Sequence, residues 1–184
     1  MPGQRSRCHP GRMPAALLIT GTVGAGKTSV ADAAGDLLAA AGIPHAVIDL
    51  DWLRRSWPAP ADDPFLLELT LRNLRDVARN HLEAGARRLV LAGVVESRDE
   101  RRRHQEAVGV NLTVCRLRVP IPVVHQRLAR RHEGDGAGLR WHLDRSGALD
   151  DILVAARVED VVVDAGERSV TSAAAAVMKA VGWC

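Results

Sequence analysis

Short apolar runs alternate along the chain with longer stretches in which apolar and polar residues mix. Ala15–Thr20 is a short apolar run that stops at Gly21, the pattern of a buried strand. Lys27–Ala41 is rich in Ala and Leu and ends before Gly42, which predicts a helix with a glycine stop. His45–Leu50 predicts a second strand. Asp62 and Asp63 precede Pro64, which suits a cap followed by Pro at the first helical position, and that helix runs to about Ala84 before Gly85. Arg88–Ala92 is a third strand, Arg98–Ala107 a charged helix, Leu112–Val119 a fourth strand, and Pro122–Arg131 a further helix. Glu133–Gly138 reads as a flexible loop, and Leu139–Arg157 as a helix with a break at Gly147. Val161–Asp164 is a fifth strand and Thr171–Val181 the closing helix. Apolar strands alternating with helices predict an α/β fold: a three-layer α/β/α sandwich around a five-stranded parallel sheet. There is no internal repeat, and residues 13–184 read as one domain.

Residues 1–12 are polar and rich in Pro, Gly and Arg, and read as a disordered tail. Arg5, Arg7 and Arg12 account for the whole formal excess of +3, which leaves 22 basic against 22 acidic residues. The body is formally neutral, so a broad electrostatic footprint for nucleic acid is not expected. Cys8, Cys115 and Cys184 are far apart and odd in number, without metal or disulfide spacing, and Cys115 falls in an apolar strand pattern that marks it as core. No apolar run is long enough to span a membrane and the N-terminus has no apolar signal core, so a cytoplasmic location without a membrane partner is the expectation. Nothing in the sequence stands against a homodimer.

The strongest chemical signal is Gly21-Thr22-Val23-Gly24-Ala25-Gly26-Lys27-Thr28, which fits G-x-x-x-x-G-K-[ST] at every fixed position. A run of backbone N–H groups free of side-chain bulk can wrap phosphates there, and the following helix N-terminus adds positive dipole. An apolar strand before it and an Ala/Leu helix after it supply the context the motif requires. Lys27 is expected to reach the β- and γ-phosphates of ATP and Thr28 to ligate Mg²⁺, with Ser29 completing the nucleotide set.

Ligands of parallel sheets bind beyond the carboxyl ends of the strands. After the second strand stand Asp49 and Asp51, followed by Arg54 and Arg55. One carboxylate can take a proton from an attacking hydroxyl and the other can order Mg²⁺; the plainer alternative is a capping Asp with solvated Arg residues. The third strand ends Leu91-Ala92-Gly93, with no Walker B acid, which returns the metal role to Thr28 with Asp49 or Asp51, or to Glu96. Arg98 could hold an anionic acceptor. Arg127, Arg130, Arg131 and Arg140 flank the Gly-rich loop, as suits a lid that closes over phosphates; Arg127 is assigned to the nucleotide and Arg131 to charge on the transferring group. Trp52, Trp57 and Trp141 could stack on a ring, although core packing is the commoner role.

The chain resembles the P-loop small-molecule kinases, members of the nucleoside and nucleotide kinase-like P-loop NTPases. The nearest pattern is adenylylsulfate kinase, with chloramphenicol phosphotransferase a looser relative. The resemblance covers roughly residues 17–131. Ile48-Asp49-Leu50-Asp51 with Arg54 looks like that family's L-D-G-D-N-V-R, Arg72-Asn73-Leu74-Arg75 like its E-N-I-R, and Ser97-Arg98-Asp99-Glu100-Arg101 like its Y-R-E-D-R. It implies ATP, Mg²⁺, a five-stranded parallel sheet with a lid segment, and phosphorylation of a hydroxyl on a small molecule. By that resemblance Asp51 is the acid beside the acceptor hydroxyl, while Arg54, Asn73 and Arg98 contact the acceptor. Leu50 and Trp52 replace the family's Gly and Asn, and its K-G-L-Y-K-K-A-R stretch is absent, which points to a different acceptor, a nucleoside or an antibiotic among the candidates. A regulatory ATPase or GTPase without a small-molecule acceptor is the rival reading; it would call for a Walker B acid or an N-K-x-D motif, and neither is visible.

Overall fold

The computed structural model describes residues 13–132 and 135–183. The expected tail, Cys8 and Cys184 lie outside the described residues, as do Glu133 and Gly134. Five strands form one sheet: β1 (Ala15–Thr20), β2 (His45–Asp49), β3 (Arg88–Ala92), β4 (Asn111–Arg118) and β5 (Val161–Asp164). Their order is β2-β3-β1-β4-β5 and every pairing is parallel. Helices α1 (Lys27–Ala40), α2 (Leu50–Leu53), α3 (Leu67–Glu83), α4 (Arg98–Val108), α5 (Ile121–Arg131), α6 (Gly136–Ala156) and α7 (Val170–Ala180) connect and cover it.

The central position of β1 explains its unbroken apolar run. Leu17 and Ile19 face a core shared with α1, α5 and α7, whereas Ala16 and Leu18 face a second core shared with α3 and α4. Both faces of this strand are dry, so strand alternation of apolar and polar residues disappears. Cys115 is buried in the first core, and burial pushes its thiol up to about 12, which leaves it protonated and inert.

Four local expectations are corrected. Strand β2 ends at Asp49 instead of Leu50, because the Asp49 carboxylate accepts the Asp51 N–H at 2.8 Å and starts the short helix α2. Pro64 is not the first helical residue. Asp63 caps from further back, accepting from the N–H groups of Leu67 at 2.7 Å and Glu68 at 3.0 Å, so α3 begins at Leu67. The Glu133–Gly138 loop contracts, since Gly136 and Gly138 already belong to the first turn of α6, whose cap Asp135 accepts the Gly138 N–H at 3.0 Å. Finally, α6 does not break at Gly147. Ser146, Leu149 and Leu153 are fully buried around it, and such packing outweighs a glycine penalty of about 1 kcal/mol.

Helix α6 crosses the carboxyl edge of the sheet. Leu139 and Leu143 pack against the first core and Ala156 against the second. Two polar contacts hold it there. Arg116 of β4, only 5 % exposed, pairs with Asp150 at 2.7 Å, and the Thr22 hydroxyl donates to the Ser146 carbonyl. Among the described residues no helix is long and apolar enough to cross a membrane.

Gly93, just beyond β3, decides how close α2 comes. A Cβ there would lie 2.5 Å from Leu50 Cδ1 and 3.0 Å from Leu50 Cβ, so the backbone of α2 as well as a side-chain tip would have to move. Gly93→Ala is therefore expected to destabilise the fold by about 1–3 kcal/mol, the usual cost of overpacking. Urea titration checks it; an unchanged midpoint would show that α2 is not packed on this glycine.

Candidate active site

The loop between β1 and α1 has the backbone its sequence demands. Gly24 has φ 80°, and a Cβ there would crowd the Leu128 and Val124 side chains at 3.0–3.1 Å. Gly26, at φ 93°, is the left-handed residue that opens α1. No side chain caps this helix and no acid lies in its first turn, which leaves its N-terminal amides and dipole to an anion. Lys27 Nζ donates to the carbonyls of Gly21 at 3.1 Å and Thr22 at 3.0 Å. Burial lowers its pKa from 10.5 to about 8; Asp51 and Asp49 oppose the shift, and Arg54 and Arg131 add to it.

Asp49 closes the other side of the loop. Its Oδ2 accepts the Thr28 hydroxyl at 2.8 Å, while its Oδ1 holds the Asp51 N–H. This reach explains how the site does without an acid on β3. Strand β3 lies between β2 and β1, and the missing side chain of Gly93 lets Leu50 fold over the end of β3. Thr28 and Asp49 are both oxygen donors, a set that fits Mg²⁺, which takes one or two protein oxygens beside phosphate and water.

A cleft of about 970 Å³ runs along the carboxyl edge of the sheet. Gly24, Ala25, Gly26, Lys27, Thr28 and Ser29 line its middle together with Val23 and Arg131. Thr22 is placed differently from the expectation: its hydroxyl is buried against α6. Towards β5 stand Arg127, Arg168 and Ser169. Arg127 is committed to three carbonyls, those of Ala25 at 3.2 Å and of Ala165 and Gly166 at 3.0 Å, so it braces the phosphate loop against the loop after β5.

Towards β2 and β3 the cleft gathers Asp49, Asp51 and Arg54 with Trp52, and Glu96 with Arg145. Arg54 pairs with Asp51 and donates to the Phe65 carbonyl at 3.1 Å. Two predicted acceptor contacts do not reach this space. Asn73 turns its Nδ2 to the Leu53 carbonyl at 2.6 Å and ties α3 to the end of α2. Arg98 is exposed and lines a separate groove with Arg101 and Arg102. Trp57, 91 % exposed, and Arg140 also lie outside the cleft lining, whereas Trp141 is part of it. Phe65 and Arg145 escaped the sequence reading. Arg145 pairs with Glu96, 49 positions away, and no local motif announces such a contact.

Comparison with known proteins bears on the fold. Residues 2–64 match the model of the Zeta toxin family. No curated protein sequence matches the chain. Among solved structures it resembles the tunicamycin resistance protein of Deinococcus radiodurans, at 18 % identity and TM-score 0.66 over 94 % of this chain and 98 % of that one. It also resembles the APS kinase of Mycobacterium tuberculosis solved with AMPPNP and APS, at 22 % identity and TM-score 0.61 over 92 % and 98 % of the two chains. A gluconokinase from Sinorhizobium meliloti 1021 aligns at 19 % identity and TM-score 0.60 over 94 % and 95 %. The fold is that of the P-loop small-molecule kinases.

Proposed function

We propose that the protein transfers the γ-phosphoryl group of ATP to a hydroxyl of a small molecule. The observation that carries this reading is the Thr28–Asp49 contact at 2.8 Å, which sets Asp51 beside the phosphate loop in the part of the cleft towards β2 and β3, the β2/β3 chamber. The acceptor oxygen attacks the γ-phosphorus, its proton passes to the Asp51 carboxylate, and ADP leaves. Lys27 and Arg131 offset charge spreading over the transferring group, and the loop amides hold the remaining phosphates. Mg²⁺, when bound through Thr28 and Asp49, neutralises phosphate charge. The formally neutral body favours a small acceptor over nucleic acid.

The test is ATP consumption with and without a library of hydroxyl compounds, read with mass spectrometry for the gain of one phosphate. Hydrolysis that no compound changes would instead fit a regulatory ATPase.

A pH dependence follows from Lys27. Its ammonium has a pKa of about 8 in the free site, and bound phosphate raises that value by stabilising the charge. Above about pH 8, binding must therefore take up a proton. Affinity for an ATP analogue is expected to be flat below this pH and to fall by up to about tenfold per unit above it. Titration calorimetry across this range reads both the affinity and the proton uptake; affinity constant to pH 9.5 would remove Lys27 from phosphate binding.

A further inference from the structure

We infer that the β2/β3 chamber accepts a hydroxyl compound with an apolar ring face and no negative charge. The inference rests on the phosphotransferase reading and goes beyond it by naming the class of acceptor.

The walls argue for a ring. Trp52, Phe65, Leu67 and Val94 line this side of the cleft, and Trp141 lies one helical turn before Arg145 on α6. Trp52, Phe65 and Trp141 are between 49 % and 66 % exposed. Arg55 stacks over one face of Trp52 at 4.4 Å and Arg145 over one face of Phe65, so a ligand would meet their exposed remainder and the Trp141 ring.

The charges argue against an anion. Both guanidiniums of the chamber are already engaged. Arg54 is held by Asp51 and the Phe65 carbonyl, while Arg145 is held by Glu96 and stacks over the Phe65 ring at 5.2 Å. Glu100 adds a third carboxylate, which accepts the Glu96 N–H at 2.7 Å. Asp51, Glu96 and Glu100 thus outnumber Arg54 and Arg145, with Asp49 committed to Thr28. Lys27 and Arg131 lie at the phosphate loop, where ATP supplies their counter-charge. An anionic acceptor would have to break an existing ion pair and sit among surplus carboxylates, a penalty that a neutral or cationic compound escapes.

Three matched probes test this: 1-phenyl-1,2-ethanediol, 2-amino-1-phenylethanol and mandelate share a phenyl ring and a hydroxyl and differ in charge. Binding to the full chain saturated with a non-hydrolysable ATP analogue, which supplies the counter-charge to Lys27 and Arg131, is followed by NMR through the indole N–H signals of the four tryptophans. The diol and the amine are expected to bind in the millimolar range proper to ligands of this size and to shift Trp52 and Trp141, but not Trp57 or Trp183. Mandelate is expected to bind at least about tenfold more weakly, equivalent to about 1.4 kcal/mol. Glu96→Gln frees Arg145 and should shrink that difference. Mandelate binding as well as the other two, or no shift with any probe, would overturn the inference. The transferase reading is judged separately: charge-selective binding upholds the chamber's preference, while the absence of phosphate gain on every compound that binds there counts against phosphoryl transfer.

Discussion

Lys27→Ala is expected to lower the rate of phosphoryl transfer by at least about 10²–10³-fold at saturating ATP. Removing one preorganised donor from a site of developing negative charge typically costs that much. Here the ammonium sits among Gly21 and Thr22 carbonyls, where burial has already stripped part of its hydration, as its lowered pKa of about 8 records. A desolvated cation acts through a lower effective dielectric, so its attraction for the γ-phosphoryl oxygens is strong. The same burial makes the residue a cost to the empty fold, so the variant should melt no earlier than the parent protein. That pairing of outcomes separates a catalytic loss from an unfolded protein. Activity within a few-fold of the parent would remove the phosphate loop from catalysis, and a large fall in melting temperature would assign Lys27 to the fold instead.

Asp51→Asn should reduce turnover by about 10²–10⁴-fold, the range for a lost general base, while ATP affinity changes by no more than a few-fold. Asn has the shape of Asp but neither the charge nor the basicity. Asp51 is exposed and its pairing with Arg54 is a surface ion pair, worth roughly 0–1 kcal/mol, so stability should hardly change. The Asp49 carboxylate contacts the Asp51 backbone N–H, and the substitution leaves that contact in place. Single-turnover kinetics beside equilibrium binding of an ATP analogue would check the split. A collapse of nucleotide affinity would place Asp51 on the nucleotide instead of the acceptor.

Much of this architecture is legible in the chain itself because its causes are local. The bounds of β1, β3 and β5 follow from short apolar runs, and the phosphate loop is a contiguous motif whose glycines take the left-handed backbone they are needed for. Local rules failed where side chains reach across the fold. The Pro64 signal lost to the Asp63 carboxylate capping Leu67 and Glu68, and the Gly147 signal lost to buried packing along α6. The motif likeness around Asn73 and Arg98 preserved residue types, but those side chains lie outside the cleft.

The sequence by itself determined the class of fold, the nucleotide loop and the pair of acids after β2, since each depends on neighbours in the chain. Only the tertiary structure decided what surrounds them. Sheet order set β3 between β2 and β1, and the bare Cα of Gly93 let α2 fold across it so that Asp49 meets Thr28, 21 positions earlier. The path of α6 brought Arg145 to Glu96 and Ser146 to Thr22, 124 positions apart. Contacts of that separation are fixed by the packing of whole elements, a property no run of adjacent residues carries.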